Sequence, residues 1–382
     1  MSTVRDRVRE QPLPGEAEAA VRTWPVVEAA LAERQPAGHR RRTPLRLAIV
    51  TALLGLALAI TLSPAGAWIG DRFDSEPHPS PPAFAALPKG GSVLAISRSG
   101  AYAISPNGST QRLGSFSQAG WSPHGKHVVG VNGRRLIAVT PTGTVKWTLA
   151  EPRRVSHPAW STDEGFAVAY LERSSLRVVA GDGDPVTNRR VRGGAAAVTP
   201  AWLPHSDRVL TYATTRGTIE TVDLTTRTTL WRTGAIAARP RSLAWSRNGR
   251  RLVALTSRSV VVVDARGRVL RTVPLPGAAR ELALHPNGTK AAVRVTGGGE
   301  MRVLELRLDA GGAGAGPREM FQGDVEGLAW SQNGRRLLIG WRGAGQWLLL
   351  GPGDRIRPLH DVSRELGTAG GFPRVAGWCC AG

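Results

Sequence analysis

The chain has little of what most catalytic sites need. Its 382 residues include only two cysteines and eight histidines. No Gly-x-Ser-x-Gly, His-Glu-x-x-His, P-loop or Gly-x-Gly-x-x-Gly phrase stands in a setting that would support its chemistry. The two cysteines, Cys379 and Cys380, have no histidine nearby to activate a nucleophile. These absences argue against most classes of enzyme and favour a binding role.

Helical periodicity is scarce after residue 70, so that region does not read as a helical domain. It contains instead a repeated phrase: a small residue, Trp or Leu, a turn, and then an apolar run. The Trp or Leu of each copy, here called the anchor residue, recurs at spacings of 39, 42, 43, 39, 46 and 48 residues, at Trp121, Trp160, Trp202, Trp245, Leu284, Trp330 and Trp378. A period in the forties built from short strands is typical of a β-propeller.

One copy of the repeat, residues 243–273, shows the composition of a blade. An apolar strand ends at Trp245, a Ser-x-Asn-Gly turn follows, and three further short strands come after it. Asn and Gly suit the turn because they tolerate positive φ. A four-stranded blade has two apolar faces that it cannot bury alone, so successive blades must stack. We expect each anchor residue to fill the space between two blades.

The third strand of the blade occurs seven times, which predicts seven blades. The first blade lacks its own Trp strand, because the chain enters it at residues 91–95, and the last Trp phrase, at Trp378, has no strands after it. These two fragments complement each other. The sequence therefore predicts an all-β, seven-bladed propeller over residues 91–382, closed by a C-terminal strand around 374–380 that leaves no sheet edge exposed.

The phrases W-S-P-x-G, at residues 121–125, and W-S-x-N-G, at residues 245–249 and 330–334, resemble TolB-type and WD40-like propeller repeats of bacterial envelope proteins. The resemblance covers about residues 90–380. It implies the propeller fold and leaves the ligand open. The repeats lack the Gly-His and Trp-Asp dipeptides of eukaryotic WD40 repeats, so a eukaryotic-style scaffold is the poorer match.

An uncharged apolar stretch precedes the repeats, over residues 47–70, and predicts one transmembrane helix. Arginines lie immediately before it, which places the N-terminus in the cytoplasm and the propeller outside the cell membrane. The alternative is a signal peptide cleaved after Ala67, although 46 residues before the apolar run are long for such a peptide. Residues 71–90 are Pro-rich and predict a semi-rigid linker.

The predicted cytosolic tail, residues 1–46, contains one candidate amphipathic helix from Glu16 to Arg34. Trp24, Val27 and Leu31 lie on one face of it, while Pro25 would kink it or begin its first turn. This face predicts a docking site for a cytosolic regulator. It also suits a helix that lies on the inner leaflet of the membrane.

The formal net charge is +21 at pH 7, and only four of the 50 basic residues are lysines. An exported basic domain rarely meets nucleic acid, so anionic lipid headgroups or wall polymers are nearer candidates for a partner. Many arginines stand in blade turns, for example at residues 250–251 and 335–336. Such residues can also simply keep the rim soluble or form local ion pairs.

No metal or cofactor site is expected. His124, His205 and His285 each stand beside proline in the turn after an anchor residue, so they belong to the repeat. Asp182-Gly183-Asp184 begins like a calcium loop, but the later ligands are missing and its position between two strands predicts a hairpin turn. Neighbouring residues of a strand point to opposite faces, so Cys379 and Cys380 are expected as two packed thiols, with a vicinal disulfide as the alternative.

Together these patterns predict a membrane-anchored, non-catalytic binding or scaffold protein whose exported propeller contacts a protein or an envelope ligand. The alternative is a transmembrane signalling regulator, because the layout resembles that of anti-sigma factors, although the tail lacks the zinc-type His-Cys-Cys pattern of one such group. A third reading, a propeller hydrolase or lyase, requires acidic and histidine side chains that converge on the channel axis.

Overall fold

The structure is a computed structural model that describes residues 83–87, 91–162, 167–234, 236, 238–309, 316–367 and 371–380. In this part of the chain, 28 strands form seven four-stranded antiparallel sheets, arranged as the blades of a propeller. One four-residue α-helix, α1 (Val362–Glu365), and four short 3-10 turns accompany them. The prediction of an all-β, seven-bladed propeller is confirmed.

The blades are numbered in chain order. Blade 1 contains β1 (Ser92–Ser97), β2 (Gly100–Ile104), β3 (Thr110–Gly114) and the last strand of the chain, β28 (Arg374–Cys379). Blade 2 contains β4 (Gln118–Trp121), β5 (Val128–Asn132), β6 (Arg135–Val139) and β7 (Val145–Ala150). Blade 3 contains β8 (Val155–Trp160), β9 (Ala167–Glu172), β10 (Ser175–Ala180) and β11 (Arg189–Gly194).

Blade 4 contains β12 (Ala201–Trp202), β13 (Val209–Ala213), β14 (Ile219–Asp223) and β15 (Thr228–Arg232). Blade 5 contains β16 (Ser242–Trp245), β17 (Arg251–Leu255), β18 (Ser259–Asp264) and β19 (Val269–Pro274). Blade 6 contains β20 (Ala278–Leu284), β21 (Lys290–Gly297), β22 (Glu300–Arg307) and β23 (Arg318–Gln322). Blade 7 contains β24 (Val325–Trp330), β25 (Leu337–Trp341), β26 (Gln346–Leu350) and β27 (Ile356–Leu359).

The ring closes where the sequence predicts. Strand β28 pairs antiparallel with β1, with Val93 opposite Trp378 and Ala95 opposite Val375. The last strand of the chain thus becomes the innermost strand of the first blade, in the place that the Trp strand occupies in the other six blades. The backbone groups of β1 that would otherwise form an open sheet edge are therefore paired.

The core consists of seven apolar clusters, each shared by two neighbouring blades. Strand β1 illustrates this arrangement, because its alternate side chains belong to different clusters. Val93 and Ala95 pack toward blade 7, whereas Leu94 and Ile96 pack toward blade 2. A strand that is covered on both faces must be apolar at every position, which explains the continuous apolar runs of the second and third strands. The fourth strands lie at the outside and are largely exposed.

Each anchor residue packs against the preceding blade. Six of them end the innermost strand of their blade, and Trp378 is the residue before the end of β28. The indole N–H of Trp202 donates to the carbonyl of Ala159 at 3.0 Å, and that of Trp330 donates to the carbonyl of Ala283 at 3.1 Å. The side chains of the anchor residues are either buried, at Trp160, Trp202 and Trp378, or half-buried, at Trp121, Trp245, Leu284 and Trp330.

Part of the segment that the sequence assigns to a linker belongs to the propeller. Residues 83–86 form a 3-10 turn, and Phe84 and Leu87 are buried in the cluster between blades 7 and 1. Phe84 lies against the buried Trp347, with ring centroids 5.2 Å apart. The propeller therefore begins before residue 91, because two apolar side chains of a Pro-rich stretch pack between blades 7 and 1, where the ring closes.

The expectation of two packed thiols at the C-terminus is wrong. Cys379 and Cys380 are joined by a disulfide. The alternation argument fails because β28 ends at Cys379 and Cys380 takes a positive φ of 52° beyond it. The Asp182-Gly183-Asp184 segment forms a tight turn, in which Asp182 accepts from the backbone N–H of Asp184 at 3.1 Å.

The predicted tail, membrane span and most of the predicted linker lie outside the described residues. Among the residues that are described, no helix has the length and apolar character needed to cross a membrane.

Candidate binding site at the basic mouth of the channel

The central channel opens at the end where the innermost strands begin. We call this opening the basic mouth and define it by Arg241, Arg280, Glu281, Glu326 and Arg374, which line one cavity of about 580 Å³. Its wall combines the innermost strands of several blades with the turns beside them. A second cavity, of about 620 Å³, adjoins the first and shares Glu326, Arg342 and Arg374 with it.

The anchor residues give the register of this wall. Counting back four positions from each anchor residue gives one residue per blade, in chain order Ser117, Ser156, Val198, Arg241, Arg280, Glu326 and Arg374. The four charged members of this set all line the 580 Å³ cavity. The basic mouth is therefore charged on the side of blades 5, 6, 7 and 1, while blades 2, 3 and 4 contribute uncharged residues at this level.

The residue three positions before the anchor ties the innermost strands together. Glu281 on β20 accepts from the backbone N–H of Leu328 on β24 at 3.0 Å, and Gln118 on β4 accepts from the backbone N–H of His157 on β8. Both acceptor side chains occupy the same repeat position, and each N–H lies in or beside a bulge of the next blade's innermost strand. These bonds link blade 6 to blade 7 and blade 2 to blade 3.

Glu281 is the most perturbed carboxyl group of the mouth. It pairs with Arg294 at 3.3 Å, and Arg294 also donates to the carbonyl of Val325 at 2.7 Å. Burial raises the pKa of Glu281 above its ordinary value, although the charges of Arg294 and Arg374 and the N–H of Leu328 act in the opposite direction. This carboxyl group therefore contacts Arg294 of blade 6 and the backbone N–H of Leu328 of blade 7.

The other acidic groups of the mouth share one arginine. Arg342, in the turn after β25, lies 2.8 Å from Asp324 and 3.7 Å from Glu326. Acidic side chains thus do reach the channel axis, which is the arrangement that a propeller hydrolase or lyase would need. Each of the three carboxylates, however, already has an arginine partner within the wall.

Four other arginines line the two cavities and, unlike Arg294 and Arg342, have no carboxylate partner within 4 Å among the described residues. Within the described residues, the guanidinium groups of Arg98, Arg241, Arg280 and Arg374 make no hydrogen bond and no ion pair within 4 Å. Arg98, Arg241 and Arg280 are exposed, and Arg374 is half-buried at the boundary that the two cavities share.

His157 also lines the 580 Å³ cavity, at the bulge of β8, with a positive φ of 54°. Burial lowers the pKa of its imidazole, so it is neutral at pH 7 and adds no positive charge. In the described part of the chain no group of three or more His, Cys, Asp or Glu residues is placed to hold a metal ion. What the mouth offers is arginine, whose planar fork matches carboxylate and phosphate groups.

The residues that the sequence singles out lie elsewhere. The anchor residues end the innermost strands at the opposite mouth and pack between blades, and Trp24, Val27 and Leu31 lie outside the described residues. The arginines of the basic mouth have a sequence signal of their own, which is distinct from the catalytic motifs. The phrases R-S-L-A-W, R-E-L-A-L and R-V-A-G-W, at residues 241–245, 280–284 and 374–378, place an arginine at one repeat position.

No family model and no curated protein matches the chain. Among solved structures, hydrazine synthase from Kuenenia stuttgartiensis is similar, with a TM-score of 0.51 and 18% identity over 62% of this chain and 76% of that chain. The β-propeller domain of Cps50 (Swd1) from Myceliophteria thermophila is similar with a TM-score of 0.52 and 13% identity, over 64% of this chain and 86% of that chain. Likeness at these identities shows the propeller fold alone.

Proposed function

We propose that the chain is a membrane-anchored, non-catalytic binding protein whose exported propeller contacts a protein or an envelope ligand through the basic mouth. The observation that carries the proposal is the 580 Å³ cavity on the propeller axis, whose volume lies in the range of ligand pockets. Two of the innermost strands in its wall, β8 and β24, donate backbone hydrogen bonds to Gln118 and Glu281 of the preceding blades, which favours a preformed site.

The pairing of the acidic groups supports a non-catalytic role. A general acid or base must be free to exchange a proton with a substrate. The carboxylates of Glu281, Asp324 and Glu326 instead face arginine partners, and Glu281 also holds the backbone of Leu328.

Photo-cross-linking in cells that express the full chain tests the binding role. A benzoylphenylalanine residue in place of Thr199, an exposed residue that lines the cavity, should give a discrete cross-linked product. The matched control is the same replacement at Thr142, an exposed residue in the turn between β6 and β7 on the opposite face. A product of equal yield at both positions, or none at Thr199, would contradict contact between the mouth and a partner protein.

The anchor is proposed from residues 47–70, whose apolar sequence follows Arg40, Arg41, Arg42 and Arg46. Carbonate-washed membranes should retain the full chain, and a chain that lacks residues 47–70 should be recovered in the soluble fraction. Protease added to intact cells stripped of their wall should degrade the propeller only if it lies outside the membrane. A full chain that carbonate releases would contradict the anchor.

The alternative role, a transmembrane regulator, rests on the apolar face of Trp24, Val27 and Leu31 in the tail. If this face docks a cytosolic regulator, the full chain should co-purify with a sigma factor or similar protein, and the Trp24→Ala variant should not. Recovery of the same proteins with both variants would leave the tail as a passive anchor segment and rule out docking through this face.

A further inference from the structure

We infer that the basic mouth binds a small ligand with at least two phosphate or carboxylate groups, held by Arg241, Arg280 and Arg374. The inference rests on the proposed function, because it names the chemistry of the ligand that the mouth would take. The named residues come from blades 5, 6 and 1, which the closed ring brings around one cavity.

The arrangement of these arginines carries the argument. Many arginines of the chain lie in turns, where a local carboxylate can pair with them, as Asp264 pairs with Arg268 at 2.7 Å. Arg241, Arg280 and Arg374 instead occupy one repeat position on the channel wall. Within the described residues their guanidinium groups make no hydrogen bond and no ion pair within 4 Å, and only the charge of Arg374 acts on a carboxyl group, that of Glu281, at longer range. Like charges collected around a cavity without partners repel one another, so an anion that enters relieves the repulsion.

The neighbouring pairs show that partners are available where the fold needs them. Within the same wall, Arg294 lies 3.3 Å from Glu281 and donates to the carbonyl of Val325, and Arg342 lies within 4 Å of Asp324 and Glu326. Among the described residues that line the 580 Å³ cavity, three guanidinium groups have no hydrogen bond and no ion pair within 4 Å, whereas each carboxylate has an arginine within 4 Å. The excess positive charge of this lining therefore lies at the repeat position four residues before the anchor residue.

The second cavity is the reason to expect more than one anionic group. Arg374 lines both cavities, and the 620 Å³ cavity adds the unpaired Arg98 beside it. The inference places one anionic group in the cavity that Arg241, Arg280 and Arg374 line, and a second in the cavity that Arg374 and Arg98 line. The cavity volume matches a small ligand or the end of a larger one rather than a folded domain.

The opposite side of the mouth suits the uncharged part of such a ligand. Thr199, just before the innermost strand of blade 4, lines the 580 Å³ cavity, and Ser117 of blade 2 lines the adjoining one. The charge asymmetry fixes one orientation for a ligand whose anionic groups lie at one end.

The test uses the purified full chain in detergent and two probes, inorganic tripolyphosphate and citrate, titrated by calorimetry at low ionic strength. We expect binding of at least one probe, and a loss of about tenfold or more in affinity for Arg280→Gln and for Arg374→Gln, since each removes a charge-assisted contact. Added salt should weaken the binding of the wild-type chain. The matched control is Arg335→Gln, an exposed arginine in the turn after β24 on the opposite face.

The two probes separate the sources of the charge: tighter binding of tripolyphosphate indicates a phosphate ligand, and tighter binding of citrate indicates a carboxylate ligand. The inference is overturned if neither probe binds, if Arg335→Gln weakens binding as much as Arg280→Gln, or if hexaglutamate binds more tightly than both probes. A cross-link at Thr199 without anion binding would refute this inference and leave the proposed function standing. Absence of both would refute both.

Discussion

The indole N–H of Trp202 in blade 4 donates a 3.0 Å hydrogen bond to the carbonyl of Ala159 in blade 3. Trp202 is 3% exposed, and its ring lies among the side chains of blade 3, including Ala169 and Leu171. One residue therefore supplies both apolar area and a directional contact to the blade interface. The same relationship links Trp330 to Ala283 between blades 7 and 6.

Replacement of Trp202 should destabilise the propeller in two steps. Trp202→Ala removes the ring and leaves a cavity, so we expect a loss of about 3–5 kcal/mol in the free energy of unfolding. Trp202→Phe keeps most of the area but leaves the Ala159 carbonyl unpaired, for a loss of about 1–3 kcal/mol. Urea denaturation followed by circular dichroism measures both. The control is Leu230→Ala, because Leu230 is 52% exposed on an outer strand; equal losses at the two sites would contradict the packing role.

A side chain at Gly327 should disturb the closure of the ring. Gly327 has a φ of 101°, and a Cβ atom there would lie 2.5 Å from the backbone N and O atoms of Val375 on β28. We expect Gly327→Ala to lower stability by at least about 3 kcal/mol, since strain and overlap add. The matched control is Gly298→Ala, also at a positive φ but with no atom within 4 Å of the added Cβ. Its cost should stay near about 1–2 kcal/mol, and similar melting temperatures for the two variants would refute the contact.

Phe84 should stabilise the propeller although it precedes the first blade. Its side chain is fully buried against Trp347 at the seam between blades 7 and 1. Phe84→Ala should therefore cost about 3–5 kcal/mol in thermal or chemical unfolding of the full chain. The comparison is Val186→Ala, because Val186 is 91% exposed. Equal melting temperatures for Phe84→Ala and the wild type would contradict a contribution of this side chain to the stability of the propeller.

Glu281 should give the stability a pH dependence of defined sign. Burial raises its folded-state pKa above the ordinary value of 4.5, so its contribution is present below that value and is lost as the pH rises through the folded pKa. Relative to wild type, Glu281→Gln should therefore gain stability as the pH increases from 4.5 toward 7. Unfolding free energies of both chains across this range measure the difference.

Asp264 provides the control of opposite sign. Hydrogen bonds from the backbone and side chain of Arg268 lower its pKa below the ordinary value of 3.8. Its contribution is present above that value and is lost as the pH falls through the folded pKa. Asp264→Asn should therefore be less stable than the wild type near pH 7, and this difference in unfolding free energy should disappear only at acidic pH. A difference of the same sign for the two variants would contradict the assignment of Glu281.

The blade pattern could be predicted because each element is encoded locally. In blade 5, the turn at residues 246–249 and the apolar runs around it define strands β16 to β18 without reference to any other blade. Closure of the ring could also be predicted, since the first blade lacks an innermost strand and the C-terminal segment around Trp378 supplies one. The seam residue Phe84 could not, because nothing local distinguishes it from an apolar residue of a linker until Trp347 and Val362 surround it.

The sequence by itself determined the number of blades, the strands within them and the anchor residues between them, because a repeat of short apolar runs separated by turns specifies its own sheet. Only the tertiary structure decided the character of the channel mouth. Arg241 and Arg374 are 133 positions apart in the chain, and they share a cavity only because β28 closes the ring. Which arginines keep a free guanidinium group depends on the carboxylates that folding brings beside them, and pairing of that kind is a property of distance in space.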